Sequence, residues 1–136
     1  MTGTTQRTEM VPIKTGADVV VVRQRVRAWT LEMKFSLVDQ TKIVTAASEL
    51  ARNTLEHGKG GEVEIALVTN GPRQGIRMSF SDQGPGIPDI KLALSDGYTS
   101  AKGMGLGLGG SKRLMNEFEI ETEPGRGTTV SCIRWK

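Results

Sequence analysis

Two stretches in which apolar and polar residues alternate are the strongest constraint on how this chain folds. Residues 63–67 and residues 76–80 both show the period of two that is typical of a half-buried strand. The run NGPRQG between them is rich in turn-forming residues and predicts a hairpin. A glycine-rich segment without a regular pattern follows at residues 83–106. Irregular segments of this length in a compact domain are usually functional, and we interpret this one as a mobile lid.

Apolar residues at helical spacing predict three helices around this hairpin. The first follows an apolar stripe from Val19 to Met33 with Asp18 as its N-cap, although its four consecutive valines suit a strand equally well. Ser36 is a candidate N-cap for the second helix, and Gly58 ends it. The remaining predicted elements are an edge strand at 9–13, helices at 19–34, 37–57 and 107–117, and strands at 119–123 and 128–135.

This order of elements predicts an α/β (α+β) two-layer sandwich, with three main helices on one face of a mixed, mostly antiparallel sheet. The 136 residues suit a single domain at 9–136, preceded by a flexible tail at 1–8. The first residues contain no apolar signal-peptide core, and no run of about 18 apolar residues is present to span a membrane.

Composition narrows the range of functions. The single cysteine, Cys132, lies in a predicted core strand, and we expect a buried structural thiol in a reducing, cytoplasmic setting. The net charge of +3 is scattered along the chain and is not interleaved with aromatic residues, so nucleic-acid binding is not indicated.

Asp82 continues the inward-facing row of the second hairpin strand, and the chain then breaks in the run DQGPGIPD. A carboxylate on the core side of a sheet needs a hydrogen-bond donor. The residue alone leaves two interpretations open: a turn-forming aspartate that caps its own loop, or an acceptor for a ligand amine such as that of adenine. In the second interpretation, Gly84 and Gly86 let the backbone approach the ligand closely.

Glu49 and Asn53, in the run SELARN, lie one turn apart at the border of the apolar face of the second predicted helix. An ordinary surface pair is one interpretation, and a general base beside a Mg²⁺ ligand is the other. Mg²⁺ prefers oxygen ligands and takes only one or two from the protein, so the Asn53 amide together with phosphate oxygens would suit it. The Glu49 carboxylate would then orient or deprotonate a hydroxyl.

The run GMGLGLGG at 103–110 precedes the third predicted helix. Glycines before a helix N-terminus expose backbone N–H groups, which favours a phosphate cradle over a merely flexible loop. A dinucleotide fingerprint would need a strand immediately before it, and the P-loop pattern fails because Ser111 stands where its lysine should be.

The last strand begins with GTT, where a threonine hydroxyl either pairs with an adenine nitrogen or merely satisfies the strand end. Thr128 and Thr129 are the two candidates. Neither residue alone decides between these alternatives.

In this order and spacing, these four stretches resemble the motifs of the GHKL (Bergerat-fold) superfamily of ATP-binding proteins. The resemblance covers about residues 9–136 and implies ATP and Mg²⁺ as cofactors, with ATP under the lid. SELARN is similar to the asparagine box, which implies Glu49 as the catalytic base and Asn53 as the Mg²⁺ ligand. DQGPGIP and GMGLGL are similar to the two glycine boxes, and GTT to the final motif, in which Thr128 is preferred over Thr129. The implied ATP-binding residues are Asn53, Asp82, Gly84, Gly86, Ile87, Gly103, Met104, Gly105, Leu106, Gly107, Leu108, Thr128 and Thr129.

Within that superfamily, the runs SELARN, DQGPGIPDI, GLGLGGSKRLMNEF and IRWK are most similar to the RsbT-type switch-protein serine/threonine kinases. Lys102 departs from the charge pattern expected of the lid. The resemblance implies a kinase that phosphorylates STAS-domain proteins in a bacterial stress-signalling, partner-switching module, the stressosome. STAS-domain proteins would also be its scaffold, a serine phosphatase or another regulator would act downstream, and neither nucleic acid nor membrane would be a partner.

The main alternative is an anti-sigma factor that sequesters a sigma factor and uses ATP as a structural switch. Glu49 favours the kinase, because binding alone needs no base. A gyrase-like ATPase would need a second domain, and a histidine-kinase domain would need histidine-bearing helices that this sequence lacks. His57, the single histidine, is interpreted as packing or polar support rather than as a phospho-acceptor.

Overall fold

A computed structural model describes residues 3–87, 94 and 107–136, in which three helices cover one face of a five-stranded sheet. The strand order is β1-β2-β3-β5-β4, and every pairing is antiparallel. The two-layer sandwich is therefore confirmed, and its described sheet is antiparallel throughout rather than mixed. No helix in the described part of the chain is long and apolar enough to cross a bilayer. The elements are β1 (Thr4–Ile13), α1 (Gly16–Glu32), α2 (Leu37–Glu56), β2 (Gly61–Asn70), β3 (Arg73–Asp82), α3 (Gly107–Leu114), β4 (Glu117–Glu123) and β5 (Gly127–Trp135).

The main core lies between the helices and the sheet, as the alternating pattern predicted. Ile76, Met78 and Phe80 of β3 are buried in it. Cys132 of β5 is fully buried beside them, its Sγ donates to the Met78 carbonyl at 3.7 Å, and burial raises the pKa of the thiol to about 12. The prediction of a structural thiol is confirmed, because a protonated, buried sulfur is neither a nucleophile nor an available ligand.

The start of α1 differs from the sequence prediction. Thr15, not Asp18, is the N-cap, and its side chain accepts from the Asp18 backbone N–H. Asp18 occupies the third helical position, from which its carboxylate accepts from the backbone N–H of Lys14 and of Thr15. This reciprocal capping box satisfies orphan donors at the helix start, so the helix begins three residues before the predicted one. Ser36 caps α2 as predicted.

Strand β1 begins at Thr4, five residues before the predicted strand, so residues 4–8 of the predicted tail belong to a strand. Thr4 lies opposite Thr69 of β2, and the ladder runs from there to Ile13. The predicted start of the strand was wrong because residues 4–8 are polar and exposed, so they show no alternation of apolar and polar residues. An edge strand of this kind is held by backbone pairing alone.

Helix α3 ends at Leu114, earlier than the predicted residue 117. Asn116 turns the chain into β4, since its backbone N–H donates to the Ile133 carbonyl at 2.9 Å. Its side-chain oxygen also accepts from the Trp135 N–H at 2.7 Å. These two bonds to β5 replace the helical ones that a longer α3 would need.

Arg134 of β5 ties together the two helices that flank the site described below. One guanidinium nitrogen donates to the Asp39 carboxylate in the first turn of α2 at 2.9 Å, and another donates to the Leu114 carbonyl at the end of α3 at 3.3 Å. The side chain is only 17% exposed. Three elements distant in sequence are therefore held by one side chain.

A charged cluster holds α1 against β1. Both guanidinium Nε and Nη2 of Arg25 donate to the Glu9 carboxylate, at 2.6 and 2.8 Å, and the Trp29 indole N–H donates to it at 2.7 Å. The Arg7 guanidinium lies over the Trp29 ring, 4.3 Å from its centroid. The hydrogen bonds from Arg25, and then that from Trp29, lower the pKa of Glu9 to about 2.

We expect Glu9→Gln to lower the free energy of unfolding at pH 7 by about 1–2 kcal/mol, a value reduced because the Glu9 side chain is 30% exposed. A carboxyl whose pKa is lower in the folded state than its ordinary 4.5 stabilises the fold above pH 4.5, and the contribution is lost as the pH falls toward 2. Urea titrations of both proteins between pH 7 and pH 2.5 should therefore converge at the acid end. A difference that stays constant with pH would contradict this account.

The outer face of the sheet carries a small second core. The Trp135 ring covers Gly75, where a Cβ would lie 2.7 Å from the ring, and the Arg73 guanidinium stacks 5.1 Å from the ring centroid. The indole N–H donates to the Glu117 carboxylate at 2.6 Å. The buried members of this outer cluster are Ala66, Val68, Ile133 and Trp135.

Candidate active site

Asp82 stands at the end of β3, where it meets the start of β5 and the loop after α2. Its Oδ1 accepts from the backbone N–H of Gly84 at 2.9 Å and of Thr128 at 3.1 Å. Oδ1 therefore caps the loop after β3, as the first interpretation of Asp82 expected. The other carboxylate oxygen faces the Cα of Gly58 and accepts from none of these donors. Asp82 is half-buried and one of its oxygens fixes the loop, while the contact of the other oxygen with a ligand amine stays a prediction.

Three glycines make the cradle around this carboxylate. A Cβ on Gly58 would overlap the Asp82 side chain, and a Cβ on Gly127 would overlap the Asp82 carbonyl. A Cβ on Gly84 would lie 2.7 Å from the Gly58 Cα. Because real Cβ atoms do not approach so closely, these positions need glycine for Asp82 to sit where it does. Sequence reasoning missed Gly58 as a site residue, since its role in ending α2 already accounted for it.

Gly86 serves a contact within the protein as well. It has φ +82°, and a Cβ there would overlap the carbonyl of Glu123 at the end of β4. The Ile87 N–H donates to the Thr122 hydroxyl at 2.9 Å. The start of the segment predicted as a lid is thus hydrogen-bonded to β4, and the approach of Gly84 and Gly86 to a ligand stays a prediction.

The structure separates the two candidate threonines. Thr128 lies on the helix-covered face with Asp82, and its hydroxyl bonds the Thr122 hydroxyl at 2.9 Å. Thr129 points to the outer face, where its hydroxyl bonds that of Ser81 at 3.2 Å. Since successive strand residues face opposite sides, Thr129 points away from the helix-covered face, but it lines an open cavity that also adjoins Asp82, and its contact with a nucleotide stays a prediction.

Glu49 and Asn53 lie one turn apart on α2, both half-buried at the border predicted from the helical pattern. The Glu49 side chain is 15% exposed, and its Oε1 accepts from the Arg52 guanidinium at 2.9 Å. The Asn53 carbonyl accepts from the backbone N–H of His57 and of Gly58, which links the helix end to the glycine cradle. His57 is exposed at the helix end, so it does not pack in the core.

The second glycine-rich motif is described only in part. Gly107 begins α3 with φ +68°, its carbonyl accepts from the Ser111 hydroxyl at 3.1 Å, and Leu108 is buried. The predicted contacts Gly103, Met104, Gly105 and Leu106, and most of the predicted lid, lie outside the described residues.

An open cavity of about 640 Å³ adjoins Asp82 and Thr128, a size that suits a small-molecule ligand. It also runs past Glu121 and Glu123 of β4, whose carboxylates would repel phosphates. Ser81 and Thr129, which face the outer side of the sheet, line this cavity too, so the place of a nucleotide beside Asp82 stays a prediction.

The donor set suits a nucleotide-bound Mg²⁺ rather than a cation held by the protein alone. Among residues 3–87, 94 and 107–136, no three His, Cys, Asp or Glu side chains gather to hold a metal. The amide oxygen of Asn53 offers one hard ligand, and phosphate oxygens would have to complete the shell. The glycine cradle around Asp82 is filled by atoms of the protein itself, so the contact of Asp82 with the base of that ligand stays a prediction.

Comparison with known proteins shows which family this chain belongs to. Residues 38–136 match the model of the family described as histidine kinase-, DNA gyrase B-, and HSP90-like ATPases. The serine/threonine-protein kinase RsbT of Bacillus subtilis is 42% identical over 92% of this chain and 94% of its own length. An anti-sigma F factor of Thermoanaerobacter sp. is 29% identical over 83% of this chain and 82% of its own length.

A solved structure from another bacterium is also similar to this chain. The RsbU and RsbW domains of Rv1364c from Mycobacterium tuberculosis match 96% of this chain with a TM-score of 0.67 and 25% identity, and this chain spans 33% of that protein. The fold agrees with these matches. The chain belongs to the histidine kinase-, DNA gyrase B-, and HSP90-like ATPase family, within which it is related to the serine/threonine-protein kinase RsbT.

Proposed function

We propose that this chain is a Mg²⁺- and ATP-dependent serine/threonine kinase that phosphorylates STAS-domain proteins in a bacterial partner-switching module. The relationship to RsbT over nearly the whole chain supports the kinase class. The observation that carries the proposal is Glu49, a poorly exposed carboxylate one helical turn from the candidate Mg²⁺ ligand Asn53. A protein that only bound a partner would have no need of it.

Each residue of the site has a distinct task in this proposal. When bound, Mg-ATP supplies the phosphoryl group and the cation that neutralises its charge. Asp82 accepts the base amine on its free oxygen, and Thr128 supports that contact from the same face of the sheet. Asn53 offers its amide oxygen to the cation. Glu49 holds the acceptor hydroxyl and takes its proton on a carboxylate oxygen.

The Arg52 guanidinium occupies one of the Glu49 oxygens. Its side chain is 42% exposed, so the pair is a surface pair and contributes at most about 1 kcal/mol. A substrate hydroxyl can therefore compete for Glu49 at small cost. The same pair holds the carboxylate in place on α2 while no substrate is present.

The test is transfer of label from γ-phosphate-labelled ATP to a purified STAS-domain protein of the same organism. We expect Mg²⁺-dependent labelling of a serine or threonine, lost when a chelator is added or when the acceptor residue is replaced by alanine. If no STAS-domain protein is labelled while a sigma factor binds tightly, the anti-sigma function takes the place of the kinase.

A further inference from the structure

The connection between α1 and α2 exposes three large aliphatic side chains, which we call the α1–α2 corner. Leu31 is in the last turn of α1 and is 57% exposed, while Leu37 and Val38 are the first two residues of α2 and are 76% and 64% exposed. Single exposed aliphatic residues are common, but these three all lie where α1 passes into α2. None of them is needed for capping, which Ser36 provides.

Buried side chains and backbone hydrogen bonds hold the backbone of the corner. Phe35 lies between the two helices and is buried in the main core, as is Met33. The backbone N–H groups of Lys34 and Phe35 donate to the Leu31 and Thr30 carbonyls at 3.0 and 3.1 Å. The backbone that carries the exposed side chains is therefore held by a buried anchor, so a partner that binds them would not have to order that backbone.

The charge around the corner is positive. Arg27 lies one turn before Leu31, Lys42 lies one turn after Val38, and Lys34 is in the connection itself. The carboxylates that neighbour the corner in sequence are both engaged: Glu32 pairs with Arg7 at 2.8 Å, and Asp39 pairs with Arg134 at 2.9 Å. The three cations have no such partner among the ion pairs of the described residues.

We propose that the α1–α2 corner is a docking surface for a protein partner that presents apolar side chains flanked by carboxylates. Charge complementarity selects this occupant, since acidic groups would meet Arg27, Lys34 and Lys42. A second copy of the chain would bring like charges together across a two-fold axis, which disfavours self-association. The inference rests on the proposed function only in taking the partner to be a protein.

The corner is separate from the candidate active site. Val38 and Glu49 are eleven residues apart on α2, so roughly 16 Å of helix lies between them at 1.5 Å per residue. A partner docked at the corner could hold its acceptor residue near Glu49 without blocking the nucleotide. The affinity for the partner and the rate of phosphoryl transfer can then be measured separately.

The experiment compares a corner variant, Leu37→Ser with Val38→Ser, with a matched control, Val20→Ser with Val21→Ser. The control residues are also exposed, at 44% and 40%, but lie near the other end of α1. Binding to two purified probes, a STAS-domain protein and a sigma factor, is titrated by calorimetry. We expect the corner variant to bind its probe about tenfold to a hundredfold more weakly, the control to bind as the parent does, and ATP affinity to be unchanged in both.

A charge reversal, Lys34→Glu, should weaken the same complex and reduce its dependence on salt. Parental affinity in the corner variant overturns the proposal, and so does a parent that binds neither probe. Equal loss in corner and control variants also overturns it. Loss of binding to anionic vesicles alone would assign the corner to a membrane, and a change in sedimentation alone would assign it to self-association. None of these outcomes depends on nucleotide binding or on Glu49, so the proposed kinase function is tested by separate experiments.

Discussion

Replacing Glu49 by glutamine is expected to slow phosphoryl transfer by about a hundredfold or more while leaving Mg-ATP and partner binding intact. Glutamine keeps the size and helix propensity of the side chain but cannot take a proton from the acceptor hydroxyl. The residue lies off the buried stripe of α2, so the fold should survive. Single-turnover transfer of labelled phosphate to a STAS-domain protein, beside a nucleotide titration, measures both quantities.

Two further variants isolate the base from its surroundings. Arg52→Gln breaks the same ion pair but keeps the Glu49 carboxylate, so transfer should stay within a few-fold of the parent. Asn53→Ala should lose Mg²⁺-dependent nucleotide binding and transfer together. If Glu49→Gln and Arg52→Gln are equally slow, the ion pair and not the base is what matters. If Glu49→Gln transfers as fast as the parent, Glu49 is not the base.

Asp82→Asn is expected to weaken ATP binding roughly tenfold to a hundredfold, the equivalent of about 1.5–3 kcal/mol for a hydrogen bond to a charged group. The amide oxygen can still accept from the Gly84 and Thr128 N–H groups, as Oδ1 does now. The amide nitrogen then takes the place of the second oxygen and turns an acceptor toward the ligand into a donor. Because the loop stays capped, the loss should appear in affinity more than in stability.

Calorimetric titration with ATP, paired with thermal unfolding of the unliganded protein, separates these two effects. A matched control is Asp39→Asn, which alters a carboxylate near the start of α2 that faces Arg134 rather than the cradle. Unchanged ATP affinity in Asp82→Asn would remove Asp82 from the base contact. A large drop in stability instead would mean that the carboxylate serves chiefly to hold the loop.

The sequence was sufficient for those parts of the fold that a local pattern determines. The hairpin of β2 and β3 follows from side chains that alternate between a buried face and an exposed one, and α2 follows from an apolar stripe with Ser36 in front of it. The start of β1 was not predictable in this way. Its first residues are held by backbone bonds to β2, and such bonds leave no trace in side-chain polarity.

In the candidate site, too, local patterns predicted some residues, whereas others depend on tertiary contacts. Strand and helix periodicity predicted where Asp82, Glu49 and Asn53 lie, and the resemblance of their motifs to the asparagine box and the first glycine box supplied the roles expected of them. The need for Gly58 comes from an approach between the loop after α2 and the end of β3, a tertiary contact that no local pattern encodes. The face of the sheet on which Thr128 and Thr129 each lie required the register of β5, since a shift of one residue exchanges the two faces.

The two tryptophans give this protein a separate optical reporter on each side of its sheet. Trp29 sits under the helical layer beside a carboxylate and a guanidinium, whereas Trp135 lies on the opposite face with the Arg73 side chain against it. Replacing either one by phenylalanine leaves an emission signal from one layer only. Fluorescence of the two single-tryptophan proteins can thus distinguish loss of the helices from opening of the strands, without any attached dye.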